Sequence, residues 1–189
     1  VELPGLIDIH VHLRDPGGTH KEDFSTGTAA ALAGGFVAVV DMPNNSPPLV
    51  DKASLAEKLS IARGKARCDY AFYAGASPEN AHKPVTEPPV VGLKMYLDQT
   101  YGPLRVASLP LLLAHFRSWP GDRPIAAHAE GLSTAMAIGL SLVYDKHLHV
   151  CHVSRGAEID LIRRAKEKGA RISCEVTPHH LFLLSLIHI

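Results

Sequence analysis

"DIHVHLRD", residues Asp8 to Asp15, sets two histidines two positions apart behind an apolar run, with an arginine two positions further on. In a β-strand, residues i and i+2 point to the same face, so His10 and His12 can aim into one pocket. Two readings stand at this point. The histidines are metal ligands beside an anion-binding Arg14, or they are polar residues closing an ordinary strand. A metal site needs further ligands from elsewhere in the chain, at matching structural positions.

Moving outward, short apolar runs rich in β-formers recur as "LIDIHVH", "FVAVVDMP", "CDYAFYAG", "VVGLKMYL", "PIAAHAE", "LHVCHVS" and "RISCEVTP". Helix-like segments lie between several of them. "KEDFSTGTAAALAGG" is Ala-rich and stops at a Gly-Gly pair, as a helix ending does. "DKASLAEKLSIARGKA" and "AEIDLIRRAKEKGA" carry apolar residues at three-to-four spacing. "SLPLLLAHFRSW" and "LSTAMAIGLSLVYD" are apolar enough to pack on a sheet. Strands alternating with helices predict a parallel sheet. Nearly continuous apolar strands suit a sheet covered by other layers, as in a (β/α) barrel or a doubly wound fold. Seven strands are legible, short of the eight that close a barrel of about 250 residues. The sequence shows no repeat, no low-complexity segment and no glycine-rich phosphate loop.

The 189 residues are 46% apolar and 20% charged, enough for a core and against disorder. The formal net charge is zero, so no global field favours nucleic acid or an anionic membrane. No apolar run is long enough to cross a bilayer. Cys68, Cys151 and Cys174 form no CxxC pair, which fits a reduced, cytoplasmic protein. The chain opens at "VELPG" without methionine, so this start is not expected to be the natural one.

Twelve histidines need a reason. Lys94 in "GLKMYL", His128 in "AAHAE" and His152 in "VCHVS" each fall near the end of a predicted strand. In a parallel barrel those ends form the one face on which active sites are built. The expected meeting there is of His10, His12, Lys94, His128 and His152. An ammonium repels a cation, but CO2 added to the Lys94 amine gives a carbamate whose oxygens can bridge two metals. Imidazoles and carboxylate-like oxygens suit Zn2+, and two such ions activate water and polarise a carbonyl. The plainer alternative for Lys94 is a surface or salt-bridged lysine, against which its apolar flanks argue.

The motifs "PGLIDIHVHLRDPGGTHKEDF", "GTAAALAGGF", "DMPNNSPP", "GLKMYLDQTYG", "AHAE", "VCHVSR" and "CEVTPHHLF" together resemble the dihydroorotases of the amidohydrolase superfamily. The nearest likeness is to the dihydroorotase domains of animal multifunctional pyrimidine-synthesis proteins and their bacterial relatives. The resemblance runs from Leu3 to about Leu183. It implies a metal-dependent (β/α)8 barrel, here truncated before strand eight, that interconverts N-carbamoyl-L-aspartate and L-dihydroorotate. It places one metal on His10 and His12, and a second on His128 and His152, with carboxylated Lys94 between them. Arg14 matches the substrate-carboxylate arginine and Asn44 its partner, which suits a guanidinium fork on a carboxylate. Thr100 and Tyr101 in "DQTYG" match a loop that closes over substrate; an ordinary solvent-exposed βα loop is the alternative. Cys151 and Glu175 match positions holding a third zinc in the animal-type domain; a buried inert cysteine is the alternative. For Arg14 the alternative is a salt bridge to Asp15 or Asp23. His179 and His180 belong to the family pattern as supporting or packing residues, and His20, His82, His115, His147 and His149 carry no argument.

The family's general acid/base is an aspartate at the end of strand eight, and no residue here matches it. Residues 1–189 alone are therefore expected to be inactive, while the parent protein is expected to be an enzyme. Residues 1–183 read as an incomplete barrel domain. The apolar "LSLIHI" of residues 184–189 reads as a non-native tail, because a translated sequencing-library adapter has this sequence, and "PHHLFLLSLIHI" shows no closing helix. Homodimers are common in the family, and membership in a multifunctional chain is open. Allantoinases and dihydropyrimidinases share the metal site but act on substrates without the ring carboxylate, so "HLRD" with "MPNN" favours dihydroorotase. A non-catalytic dihydroorotase-like scaffold is the rival of another class; such domains tend to lose the ligand histidines, which are all present here.

Overall fold

Seven strands follow one another in sequence and in space: β1 (Leu6–Val11), β2 (Phe36–Asp41), β3 (Asp69–Gly75), β4 (Val90–Tyr96), β5 (Ile125–His128), β6 (Leu148–Val150) and β7 (Ile172–Cys174). Every neighbouring pair is parallel. This computed structural model describes residues 3–100 and 102–182. Tyr101 and the 184–189 tail lie outside the described residues.

Helices return the chain after all but one of the strands: α1 (Phe24–Ala33), α2 (Lys52–Lys65), α3 (Leu109–Ser118), α4 (Leu132–Val143), α5 (Gly156–Glu167) and the short α6 (Pro178–Phe182). β3 passes to β4 through a loop without a helix. The start of α1 is fixed by a capping box, in which Asp23 Oδ1 accepts the Thr26 N–H at 2.8 Å. Asp51 and Ser54 form the same device at the head of α2. These side chains satisfy backbone donors that have no partner within a helix. α6 is a single turn beginning at Pro178, where a missing N–H costs nothing. The sequence shows no closing helix over residues 178–189; the structure gives this one turn at its start.

Alternation along the strands sorts side chains into two compartments. Val39, Phe72, Leu93, Met95, Ile125, Leu148 and Ile172 face the helices in one core with Phe24, Leu112 and Phe116. Val40, Met42, Tyr73, Ala126 and Cys151 face inward and form a small second cluster. The sheet curls until its first and last strands approach: the His10 imidazole of β1 meets the carboxylate of Glu175, the residue after β7. Among the described residues no strand ladder joins β1 to β7. The architecture is the truncated (β/α) barrel expected from the sequence. Among the described residues no helix is long and apolar enough to cross a membrane.

Candidate active site at the strand ends

His10 and His12 stand on one face at the end of β1, with ring centroids 5.4 Å apart. Across the barrel, His128 closes β5 and its Nδ1 lies 3.2 Å from His152 Nε2. Simple alternation would send His152 away from its neighbour Cys151, which faces inward. A positive φ of 36° turns the chain there and lets both side chains enter the same space. Such a conformation is costly for a non-glycine residue and concentrates at functional sites. Lys94 rises from the floor on β4, 1% exposed, with its Nζ 2.8 Å from Cys151 Sγ. Tyr96, two residues on, lies under that amine, 5.3 Å from Nζ to ring centroid.

Two of the histidines are oriented by side-chain acceptors. His12 Nδ1 lies 2.8 Å from Asn44 Oδ1, and His10 Nδ1 meets Glu175 Oε1. An amide or carboxylate oxygen only accepts, so each Nδ1 carries a proton and each ring turns its Nε2 away from that contact. Burial, with His10 and Arg14 nearby, lowers the His12 pKa to about 3. Burial and the Lys94 charge lower that of His152 to about 4. Burial and Lys94 also depress His128. His12, His128 and His152 are therefore held toward the neutral form, the one that binds a metal.

The sequence offers Glu175 only as a third-metal ligand. Burial pushes its carboxyl upward, but hydrogen bonds from His10 and His149 overcome this and hold it well below the ordinary carboxylate range. His149 Nε2 lies 3.0 Å from Glu175 Oε2, and its Nδ1 lies 2.9 Å from Ser173 Oγ. His149 is thus part of the site's support, which sequence reasoning missed. The signal was present: residues 149 and 151 share a strand face, so His149 had to point inward with Cys151. Burial raises the Cys151 thiol pKa, with Lys94 opposing.

The donor set fits divalent metals. His128 Nε2 is buried without a hydrogen-bond partner among the described residues. Lys94 is buried with a thiol rather than a carboxylate for company. Ligand atoms of His10, Cys151 and Glu175 lie within 4.8 Å of one another.

Arg14 follows at φ 60°, again in the left-handed region. Neither Asp15 nor Asp23 pairs with it, because Lys65 of α2 takes both, at 2.7 and 3.5 Å. Arg14 and Asn44 line a cleft of about 350 Å³ together with Gly17, Ser46 and Pro103. Gly17 has φ 91°, and a Cβ there would stand 2.3 Å from the Ser46 carbonyl oxygen. Thr100 is half-buried in the β4–α3 loop and does not line this cleft, which the loop reaches through Gly102 and Pro103. His179 and His180 are exposed on α6.

A family described as dihydro-orotase-like matches residues 1–87. Multifunctional protein CAD of Squalus acanthias is 50% identical over 184 residues, which cover 97% of this chain and 8% of that protein. A dihydroorotase of Methanosphaera stadtmanae is 34% identical, over 96% of this chain and 48% of its own. The inactive dihydroorotase-like domain of a CAD-like multifunctional protein from Chaetomium thermophilum superposes with a TM-score of 0.83 at 26% identity, covering 96% of this chain and 54% of that one. The chain thus spans about half the length of the single-function relative and under a tenth of the multifunctional one.

Proposed function

We propose, from the premise that this chain is dihydroorotase-like, that it carries most of the active site of a metal-dependent cyclic amidohydrolase acting on L-dihydroorotate and N-carbamoyl-L-aspartate. The observation that carries the choice of substrate is the Arg14 guanidinium: Lys65 occupies both neighbouring carboxylates, so Arg14 opens on the cleft with Asn44 beside it. A substrate carboxylate is the natural partner of such a fork. Allantoin and dihydrouracil offer none.

His10 and His12 would hold one zinc, His128 and His152 a second, with Lys94 bridging as a carbamate. The metals would supply Lewis acidity, activating water and polarising the scissile carbonyl. The chain's own work is positional. Asn44 and Glu175 turn the Nε2 atoms of His12 and His10 toward the centre, and Arg14 fixes the ring by its carboxylate. Thr100 and Tyr101 belong to a loop proposed to cover the bound substrate. The grouping of His10, Cys151 and Glu175 supports a second reading in which a third zinc sits there.

Among the described residues the carboxylate that joins the cluster is Glu175, and both its oxygens are engaged by histidines. Residues 1–183 read as part of a larger barrel, and residues 1–189 alone are proposed to turn nothing over. The whole protein is proposed to work in pyrimidine synthesis in the cytoplasm, as a homodimer or as one module of a multifunctional chain, without nucleic-acid or membrane partners. The test is a substrate panel on a longer natural protein containing this chain. Hydrolysis of dihydroorotate, with allantoin and dihydrouracil untouched, supports the reading; preference for either of the others overturns it. No turnover of any of the three would favour the scaffold role.

A further inference from the structure

Asp41 ends β2 on the face opposite Val40 and Met42, so its carboxylate points away from the barrel interior and toward α2. There it meets Lys58, a lysine 1% exposed in the middle of that helix. Lys58 Nζ lies 2.7 Å from Asp41 Oδ2, 2.9 Å from the Met42 carbonyl oxygen and 2.6 Å from Asn45 Oδ1. The Phe72 ring lies 5.0 Å beneath the same ammonium. The other carboxylate oxygen, Asp41 Oδ1, accepts the Leu13 N–H at 2.8 Å.

A buried ion pair contributes little stability compared with well-packed apolar side chains of the same volume, and its best-attested use is to fix a register. The register at stake here is visible. Met42 and Asn45 flank Asn44, whose Oδ1 orients His12. Leu13 stands between His12 and Arg14 in the chain. One pair of charges therefore holds the loop that presents Asn44 and the backbone that presents His12 and Arg14, without touching either ring or guanidinium.

We propose that Lys58, with Asp41, is a positioning residue for the site: it holds Met42–Asn45 so that Asn44 keeps His12 protonated at Nδ1, with Nε2 turned to the centre. The importance of that orientation rests on the proposed function. The orientation itself does not, because it belongs to the chain without metal.

The test is therefore made on the metal-free chain, by imidazole 15N–1H correlation spectroscopy, with Asn44→Ala identifying the His12 signal. The unsubstituted chain should show His12 as one tautomer, protonated at Nδ1. Lys58→Met should convert it to a mixture of both tautomers while the backbone amide spectrum stays dispersed. A folded Lys58→Met chain whose His12 keeps the single tautomer overturns the proposal, whatever its loss in Tm. If Lys58→Met leaves Asp41 uncompensated and the chain unfolds, the double variant Asp41→Asn/Lys58→Met decides. It removes both charges and keeps an oxygen for the Leu13 N–H. A mixed tautomer in that variant supports the proposal, and an unchanged one overturns it. Absence of dihydroorotate turnover in the longer protein would count against the proposed function and leave this measurement standing.

Discussion

Lys65 Nζ, in the last turn of α2, lies 2.7 Å from Asp15 Oδ2, the residue next to Arg14. This pair argues against the salt-bridge reading of Arg14, because the adjacent carboxylate already has a cation. Arg14 is thereby left facing a cleft rather than a structural partner.

Substitution of Arg14 should then act on substrate binding. In a longer, active protein, Arg14→Gln should raise KM for dihydroorotate by about 10- to 100-fold, the range of one charge-assisted hydrogen-bond set. Its effect on kcat should be smaller, since the carboxylate is held equally in ground and transition states. Steady-state kinetics decide; a collapse of kcat at unchanged KM would contradict the assignment.

Removing the cation that protects Arg14 gives a less obvious result. In Lys65→Met, the nearly buried Asp15 loses its partner, and Arg14, its neighbour in the chain, should turn toward it. KM should rise although residue 65 lies in a helix behind the cleft. An Asp15→Asn/Lys65→Met pair should restore much of the loss, and kinetics of the single and double variants measure it.

Acid should weaken the metal-free chain through its buried histidines. Histidine is ordinarily protonated below about pH 6.5, whereas burial, with nearby cations, holds His12 near about 3 and His152 near about 4. Across that interval the unfolded chain takes up protons that the folded chain refuses. Stability is full above the ordinary value and is lost as pH falls toward the folded ones. Thermal melts should show Tm falling between about pH 7 and pH 5, and a flatter fall in His12→Asn.

Gly17→Ala should damage the cleft and spare the barrel. The new methyl would meet the Ser46 carbonyl oxygen at 2.3 Å from a φ of 91°, so the two loops bearing Arg14 and Asn44 must separate. A substrate KM raised with little change in helical circular dichroism is the expected pattern.

The strands, five of the helices and the five candidate ligands were legible because each rests on local pattern: apolar runs, three-to-four spacing, and polar residues at strand ends. What stayed hidden depends on pairing across the fold. Lys58 looks like any polar helix residue until Asp41 is brought against it, and nothing in sequence spacing says that Lys65 will reach Asp15 fifty positions away. His149 was dismissed although its strand parity with Cys151 was readable. Its worth appears only when β7 delivers Ser173 and Glu175 to it. His152 is the reverse case, a candidate from its place near a strand end. Parity alone would have excluded it, and a single positive φ brings it in.

Zinc stoichiometry tests the central claim most directly: that His10, His12, Lys94, His128 and His152 form one metal-binding centre. The chain, stripped and reloaded in bicarbonate buffer, should retain at least two zinc ions after dialysis, and Lys94→Met should lose at least one. Retention of fewer than two, or full retention by Lys94→Met, would contradict the account.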